Sequence, residues 1–191
     1  MWTLCFGGWH DRLPRTVEVG GRTVSGDRTF FFVDCEAYGN IPALGKLTEF
    51  GIVTWPARQK FHGVLIETMP DPSNPAIPYA KKNGRVFDEL AVARQCEAWL
   101  NAQTSGRKIM VSDNPAFDFM WIADLFWRTL GRNPFGHSAR RVSDFYAGLI
   151  GDWYETQKWK SLRVTEHDHN PVHDSLGNVE AFDRLLKGER P

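Results

Sequence analysis

The fold is decided by residues 29–36, which read TFFFVDCE. Four apolar residues follow the first threonine without a break, and a short apolar run of this kind is typical of a central strand buried on both faces. Strand alternation then places Asp34 and Glu36 on one face of the sheet and Val33 and Cys35 on the other. Like charges on a buried face repel each other, and a divalent cation is the simplest group that would neutralise them. The alternative is an exposed strand end that carries two ordinary surface acids.

The segments around this strand predict an α/β domain with a mixed sheet of about five strands flanked by helices. Asn114 is a good helix cap, Pro115 suits the first helical position, and Gly131 suits the helix end. A stretch with four prolines, residues 67–84, predicts a long surface loop and a candidate substrate flap. Periodicity predicts further strands at 47–55, 59–66 and 108–112, and helices at 86–103, 115–130, 143–151 and 172–186.

Bulk composition limits the class of protein. The 191 residues suit a single domain, with residues 1–28 as an N-terminal extension or a small hairpin and residues 29–191 as the folded unit. The 23 basic and 23 acidic residues cancel, which argues against a protein that coats long duplex nucleic acid. Three widely spaced cysteines and the lack of a long apolar run predict a cytoplasmic protein without a membrane segment. The eight tryptophans suggest a homodimer.

A second acidic motif occupies residues 112–118, which read SDNPAFD. Asp118 falls in the first turns of the helix that leaves the fourth strand, so it can face back toward the sheet edge and complete a cation site. Its rival, Asp113, precedes the cap Asn114 and is better suited to a turn. An acid among large apolar side chains needs a partner, and this requirement favours Asp118.

A third motif, residues 169–174, reads HNPVHD. His169 lies in a loop, and Asp174 follows five positions later at the start of the last predicted helix. The histidine could accept a proton from water while the aspartate holds a metal ion. His167 and His173 are the alternatives for that role. A solvated or zinc-binding loop is the other interpretation, although no cysteine lies nearby to favour zinc.

The three motifs occur in the order DxE, Asn-x3-Asp, His-x4-Asp, and together they resemble the DEDDh family of 3′-to-5′ exonucleases across residues 29–186. The SDNPAFD and RNPFG stretches resemble small bacterial or phage members with an exoribonuclease-like domain. Residues 1–28 and the length of the 67–84 loop depart from the family pattern. The resemblance implies a ribonuclease H-like fold with residues 29–191 as the exonuclease domain.

The resemblance also implies a site that holds two Mg²⁺ or Mn²⁺ ions. It assigns the metal ligands and adds His169 as the residue that orients and deprotonates the attacking water. Family members hydrolyse phosphodiester bonds from the 3′ end, so the expected substrate is single-stranded nucleic acid or a short oligonucleotide, with RNA slightly favoured. The implied ligands are Asp34, Glu36, Asp118 and Asp174.

Several further residues are candidate substrate contacts. Tyr38 and Leu44 follow the DxE motif and could pack on the terminal base, although packing within the protein would explain them equally well. Lys158 and Arg163 could hold phosphates, or could belong to a solvated basic face. Asn114 and Phe117, within the second motif, complete the predicted contacts.

Two other functions stay open at this point. One is a DNA proofreading or processing 3′-to-5′ exonuclease. The other is a catalytically silent ribonuclease H-like module that binds nucleic acid or a protein. The complete set of acids argues against the silent module, because clustered carboxylates without a metal ion would destabilise the fold.

Overall fold

A computed structural model describes residues 29–68 and 85–191 in full, and the backbone alone at residues 18–19, 22–23, 69–70 and 78–80. A central sheet contains five strands, namely β3 (Phe30–Tyr38), β4 (Lys46–Trp55), β5 (Lys60–Val64), β8 (Ile109–Ser112) and β9 (Ala139–Arg141). They lie in the order β5-β4-β3-β8-β9. The strands β3, β4 and β5 form an antiparallel meander, whereas β8 and β9 run parallel to β3.

Helices cover both faces of the sheet. One face packs against α1 (Glu89–Gln103) and α2 (Pro115–Leu130), through a core that includes Phe31 and Val33. The other face packs against α3 (Val142–Ile150), α4 (Pro171–Leu186) and a short 3-10 helix (Lys158–Leu162), through a core that includes Phe32, Trp159 and Phe182. The prediction of a mixed five-stranded sheet flanked by helices is therefore confirmed.

Short strands outside this sheet form two small hairpins. In the first, β1 (Glu18–Val19) pairs with β2 (Arg22–Thr23), which is the described part of the predicted N-terminal extension, residues 1–28. In the second, β6 (Thr68–Pro70) pairs with β7 (Pro78–Ala80). The prediction that residues 67–84 lack regular structure was wrong at these two strands. No helix among the described residues is long and apolar enough to cross a membrane.

One helix prediction needed correction. The helix predicted from residue 86 begins at Glu89, because Val86 pairs with Ile66 and Asp88 caps the helix by accepting a hydrogen bond from the Leu90 amide. The strand β9 was not predicted, because three residues with two arginines lack an alternating apolar pattern.

Candidate active site

The acids at the end of β3 lie on the α4 face of the sheet. Phe32 packs in the core beneath α4, whereas Val33 and Cys35 pack beneath α1 and α2, so alternation leaves Asp34 and Glu36 on the α4 side, as predicted. The pairing of β3 with β4 shifts register between Glu36 and Ala37. Such a bulge increases local strand twist and can redirect a side chain, and here it occurs at one of the candidate ligands.

Helix α4 begins directly on the sheet. A Cβ atom added to Gly51, in the middle of β4, would lie only 2.2 Å from the Pro171 carbonyl carbon, so no side chain fits between strand and helix. Ser175 donates a hydrogen bond to the Gly51 carbonyl at 3.1 Å. Asn170 caps the helix by accepting from the Val172 amide at 3.0 Å. These contacts place the first turn of α4, and with it Asp174, beside β3.

Three of the predicted ligands come together in this arrangement. Carboxylate oxygens of Asp34, Glu36 and Asp174 all lie within 4.8 Å of one another. Asp174 is buried at 2% exposure, and its Oδ1 accepts a hydrogen bond from the Asp168 amide at 3.3 Å. Its buried Oδ2 pairs with His167 Nδ1 at 2.7 Å.

Asp118 lies beside this group but belongs to neither metal-compatible cluster among the described residues. Its Oδ1 accepts from the Cys35 amide at 3.1 Å, and its Oδ2 accepts from the Ser112 hydroxyl. It is nevertheless close enough to contribute to the raised pKa of Asp34 by charge repulsion. Its assignment as a ligand stays a prediction, since both of its oxygens are engaged by β3 and β8.

Two histidines of the third motif border the acids. His169 Nδ1 lies 3.5 Å from Glu36 Oε1, and the His167 and His169 rings are 4.6 Å apart between centroids. His169 also has a backbone φ of +60°, a conformation that only a few residue types adopt readily. His173, by contrast, pairs with Asp168 at 2.9 Å. His167 and His169, together with Asp174, form the second cluster of side chains that could hold a cation.

Burial and crowding make these acids difficult to ionise. Burial, with repulsion from Asp174 second, raises the pKa of Glu36 to about 8. Burial also raises the pKa of Asp118 to about 7, against the opposing effect of the hydrogen bond from Ser112. The pKa of Asp34 is raised well above its ordinary value by burial first and by the neighbouring carboxylates second. For Asp174 burial again raises the pKa, while the nearby His167 opposes the rise.

We expect the metal-free protein to lose stability as the pH rises from about 5 to about 8. A carboxyl whose pKa is raised by folding binds more protons in the folded state than in the unfolded state, so the free energy of unfolding falls across this window. The loss should be on the order of 2 kcal/mol or more, because each pKa unit corresponds to about 1.4 kcal/mol. Thermal melts in EDTA across this range measure it. Glu36→Gln should flatten the curve, and a curve that rises with pH would contradict the assignment.

The donor set fits a hard divalent cation. Carboxylate oxygens are the preferred protein ligands of such ions, and positive charge would offset the repulsion among the acids. The fit rests on the carboxylate oxygens of Asp34, Glu36 and Asp174, which all lie within 4.8 Å of one another.

The predicted substrate contacts divide into two groups. Tyr38, the last residue of β3, is 42% exposed, and Leu44, between β3 and β4, is 81% exposed. Asn114 is exposed just before α2, so these three are accessible. Phe117 is partly buried and packs edge-on against Trp121. Their roles remain predictions.

The two basic candidates are engaged within the protein. Lys158 pairs with Glu155 at 3.0 Å, well exposed to solvent. Arg163 points inward and donates to Asn178 at 2.6 Å. Neither arrangement tests contact with a substrate.

Some residues that build the site escaped the sequence-based reasoning. Ser112 is fully buried and binds Asp118, and its position at the end of β8 was the available signal. Glu49 is opposite Glu36 in the β3–β4 register and pairs with His62 at 2.6 Å. Gly51 lies in the middle of β4, and a strand glycine often marks a close approach of backbone.

Comparisons with known proteins agree with this architecture. No protein-family model matches the chain. A relative from Escherichia coli, the 3′-5′ DNA exonuclease Cap18, is 25% identical over 170 residues, which cover 82% of this chain and 90% of the relative.

Two solved structures share the fold. The nuclease domain of 3′hExo, a DEDDh family member bound to rAMP, superposes with a TM-score of 0.59 at 13% identity, covering 84% of this chain and 92% of that chain. The zinc-bound form of the E. coli ExoI–ssDNA complex gives a TM-score of 0.57 at 15% identity, covering 85% of this chain. This chain spans 41% of the ExoI chain. The predicted ribonuclease H-like fold of the DEDDh exonucleases is therefore confirmed.

Proposed function

We propose that this protein is a metal-dependent 3′-to-5′ exonuclease that hydrolyses phosphodiester bonds at the 3′ end of single-stranded nucleic acid. The observation that carries the proposal is the meeting of Asp34, Glu36 and Asp174 within 4.8 Å, next to the paired rings of His167 and His169. The ordered motifs of the DEDDh exonucleases and the similarity to Cap18 support it.

In the proposed reaction, water attacks the terminal phosphorus, a new P–O bond forms, and the bond from phosphorus to the 3′ oxygen of the penultimate nucleotide breaks. Two Mg²⁺ or Mn²⁺ ions, when bound, supply Lewis-acid stabilisation of the charge on the phosphate oxygens. Asp34, Glu36 and Asp174 would hold these ions, and we propose Asp118 as the fourth ligand. His169, with Nδ1 directed to Glu36, leaves Nε2 to accept the proton of the attacking water.

We propose that the terminal nucleotide binds at the segment between β3 and β4, which begins three residues after Glu36 and presents the exposed Leu44. A cavity of about 210 Å³ adjoins this segment. It is lined by Pro42, Gly45, Lys46, Leu47, Glu89, Trp121, Asp124 and Arg128. The Trp121 indole N–H is buried and has no hydrogen-bond partner, so a base carbonyl could accept its proton. We therefore place the 3′-terminal base against this segment and cavity.

We propose single-stranded DNA as the preferred substrate, in place of the RNA that the sequence favoured. The support is the described activity of Cap18, which is a DNA exonuclease, together with the single-stranded DNA in the ExoI complex. RNA remains the second candidate, because the 3′hExo domain binds rAMP. A group that hydrogen-bonds the 2′-hydroxyl would be needed to favour RNA.

Purified protein with Mn²⁺ is expected to shorten a 5′-labelled single-stranded DNA oligonucleotide one nucleotide at a time from the 3′ end. EDTA in excess should stop the reaction, and added Mn²⁺ should restore it, because the carboxylate cluster needs bound cations to act. A 3′-phosphorothioate linkage serves as the matched substrate control and should slow cleavage. Denaturing gels measure both the ladder and its direction.

Each alternative has its own signature in this assay. Activity that survives chelation would refute the metal-dependent mechanism. Faster loss of the matched RNA oligonucleotide would restore the RNA preference. Binding without cleavage in Mn²⁺ would favour the silent nucleic-acid-binding module.

A further inference from the structure

Arg163 directly follows the short 3-10 helix and is unusually buried for a basic residue. Only 12% of its side chain is exposed, and its guanidinium lies 5.0 Å from the centre of the fully buried Trp159 ring. Its Nη2 donates to Asn178 Oδ1 at 2.6 Å. The cation is therefore held between a ring and an amide inside the protein, where loss of its hydrogen bonds would be costly.

The same guanidinium lies between α4 and the segment that leads into α2, and each of these helices carries a candidate ligand. Asn178 lies on α4 one turn beyond Asp174, and it is 1% exposed. The same Nη2 also lies 3.6 Å from Asp113 Oδ2, just before α2 and its Asp118, and Lys160 Nζ pairs with that oxygen at 2.7 Å. Arg163 thus connects the first half of α4 to the β8–α2 junction.

Gly177 makes room for this bridge. A Cβ atom at position 177 would lie 3.2 Å from Arg163 Cδ and 3.4 Å from Arg163 Cγ, with the Thr165 carbonyl oxygen at 3.1 Å. The aliphatic part of the arginine therefore crosses α4 at the one place where a glycine leaves the helix surface open. A larger residue there would displace the side chain.

The charge of Arg163 also reaches the acids. Arg163 opposes the rise in the pKa of both Asp34 and Asp174. Its Nε is buried without a hydrogen-bond partner, so the guanidinium is not saturated by Asn178 and Asp113. Arg163 is therefore close enough to the carboxylate cluster for its charge to act on Asp34 and Asp174.

We infer that Arg163 is a positioning residue that locks α4 to the β8–α2 junction and so sets the spacing between Asp174 and Asp118 for cation binding. This inference rests on the proposed function and revises the predicted role of Arg163 as a phosphate contact. It makes a distinctive claim about metal affinity. Removing the positive charge of Arg163 from beside the carboxylates should by itself tighten Mn²⁺ binding. Losing the contacts that hold α4 to the β8–α2 junction should weaken Mn²⁺ binding.

Three variants separate these effects. Arg163→Gln removes both the charge and the fork of donors, Arg163→Lys keeps the charge but loses the fork, and Gly177→Ala keeps the arginine but displaces its stem. Mn²⁺ binding to each folded protein is measured by titration calorimetry, and activity is measured as a function of Mn²⁺. We expect binding to weaken at least about tenfold in all three variants, with kcat recovered to within a few-fold at saturating Mn²⁺.

Arg132→Gln is the matched control, because Arg132 pairs with Glu97 on the surface of α1 at 2.8 and 2.6 Å and lies outside the site. Its Mn²⁺ affinity should equal that of the unmodified protein. Unchanged or tighter Mn²⁺ binding in Arg163→Lys and Gly177→Ala would overturn the positioning role. A raised KM for the oligonucleotide with unchanged Mn²⁺ affinity would instead restore the phosphate contact. Calorimetry measures Mn²⁺ affinity even if the protein cleaves no oligonucleotide. Failure of the proposed exonuclease function can therefore be distinguished from failure of the positioning role.

Discussion

Asp34→Asn is expected to reduce cleavage of a single-stranded oligonucleotide by on the order of 10³-fold or more, while the metal-free protein becomes more stable. The two effects have one cause. Asp34 lies at the centre of the carboxylate group, where burial and the repulsion of its neighbours raise its pKa. Asparagine keeps the shape and removes the charge, so it relieves the repulsion and also removes a ligand. Initial rates in saturating Mn²⁺ and melting temperatures in EDTA measure the two effects separately.

The expected increase in the free energy of unfolding at about pH 8 is on the order of 1 kcal/mol or more. In a protein of this size, each kcal/mol should raise the melting temperature by about 2–4 °C. Asp144→Asn serves as the control, because Asp144 is 49% exposed on α3 and pairs only weakly with Arg141 at 3.5 Å. It should change neither rate nor melting temperature appreciably. A variant at position 34 that keeps its activity, or that melts earlier in EDTA, would show that Asp34 has an ordinary structural role.

The central strand and its acids were predictable because one short pattern determines them. The apolar run before Asp34 requires burial on both faces, and strand alternation then fixes the face on which Asp34 and Glu36 lie. The ends of helix α2 were predicted correctly: it begins at Pro115 and ends at the left-handed Gly131. Asn114 occupies the predicted cap position, but its side chain makes no capping hydrogen bond. In each case local chemistry and tertiary packing favour the same conformation.

Other parts of the site depend on contacts between distant segments, which local patterns do not encode. Gly51 on β4 receives the backbone of α4, 120 residues later in the chain, and only the folded structure shows that approach. Arg163 reads as part of a basic surface stretch, yet Trp159 and Asn178 draw it inward. The strand β9 forms because β8 offers it a parallel edge, since the residues Ala139–Arg141 have little strand preference of their own.

His169→Asn is expected to lower kcat by about 10²–10³-fold with little change in KM, because a general base contributes to the transition state and not to substrate binding. Asparagine is the informative replacement at this position. The backbone φ of +60° at residue 169 is tolerated by asparagine better than by most residues, so the loop should keep its shape. Unchanged Mn²⁺ affinity would separate loss of the base from loss of the metal ions.

The same substitution at His167 and His173 distinguishes the three candidates. His167 lies against the buried oxygen of Asp174, so His167→Asn should cost about tenfold through that aspartate. His173 pairs with Asp168, and both are about half exposed, so His173→Asn should leave the rate within about twofold of the unmodified protein. A larger loss of rate in His167→Asn than in His169→Asn would show that His167 is the general base. Since the His167 and His169 rings lie 4.6 Å apart, that result would keep the site and change only which ring accepts the proton.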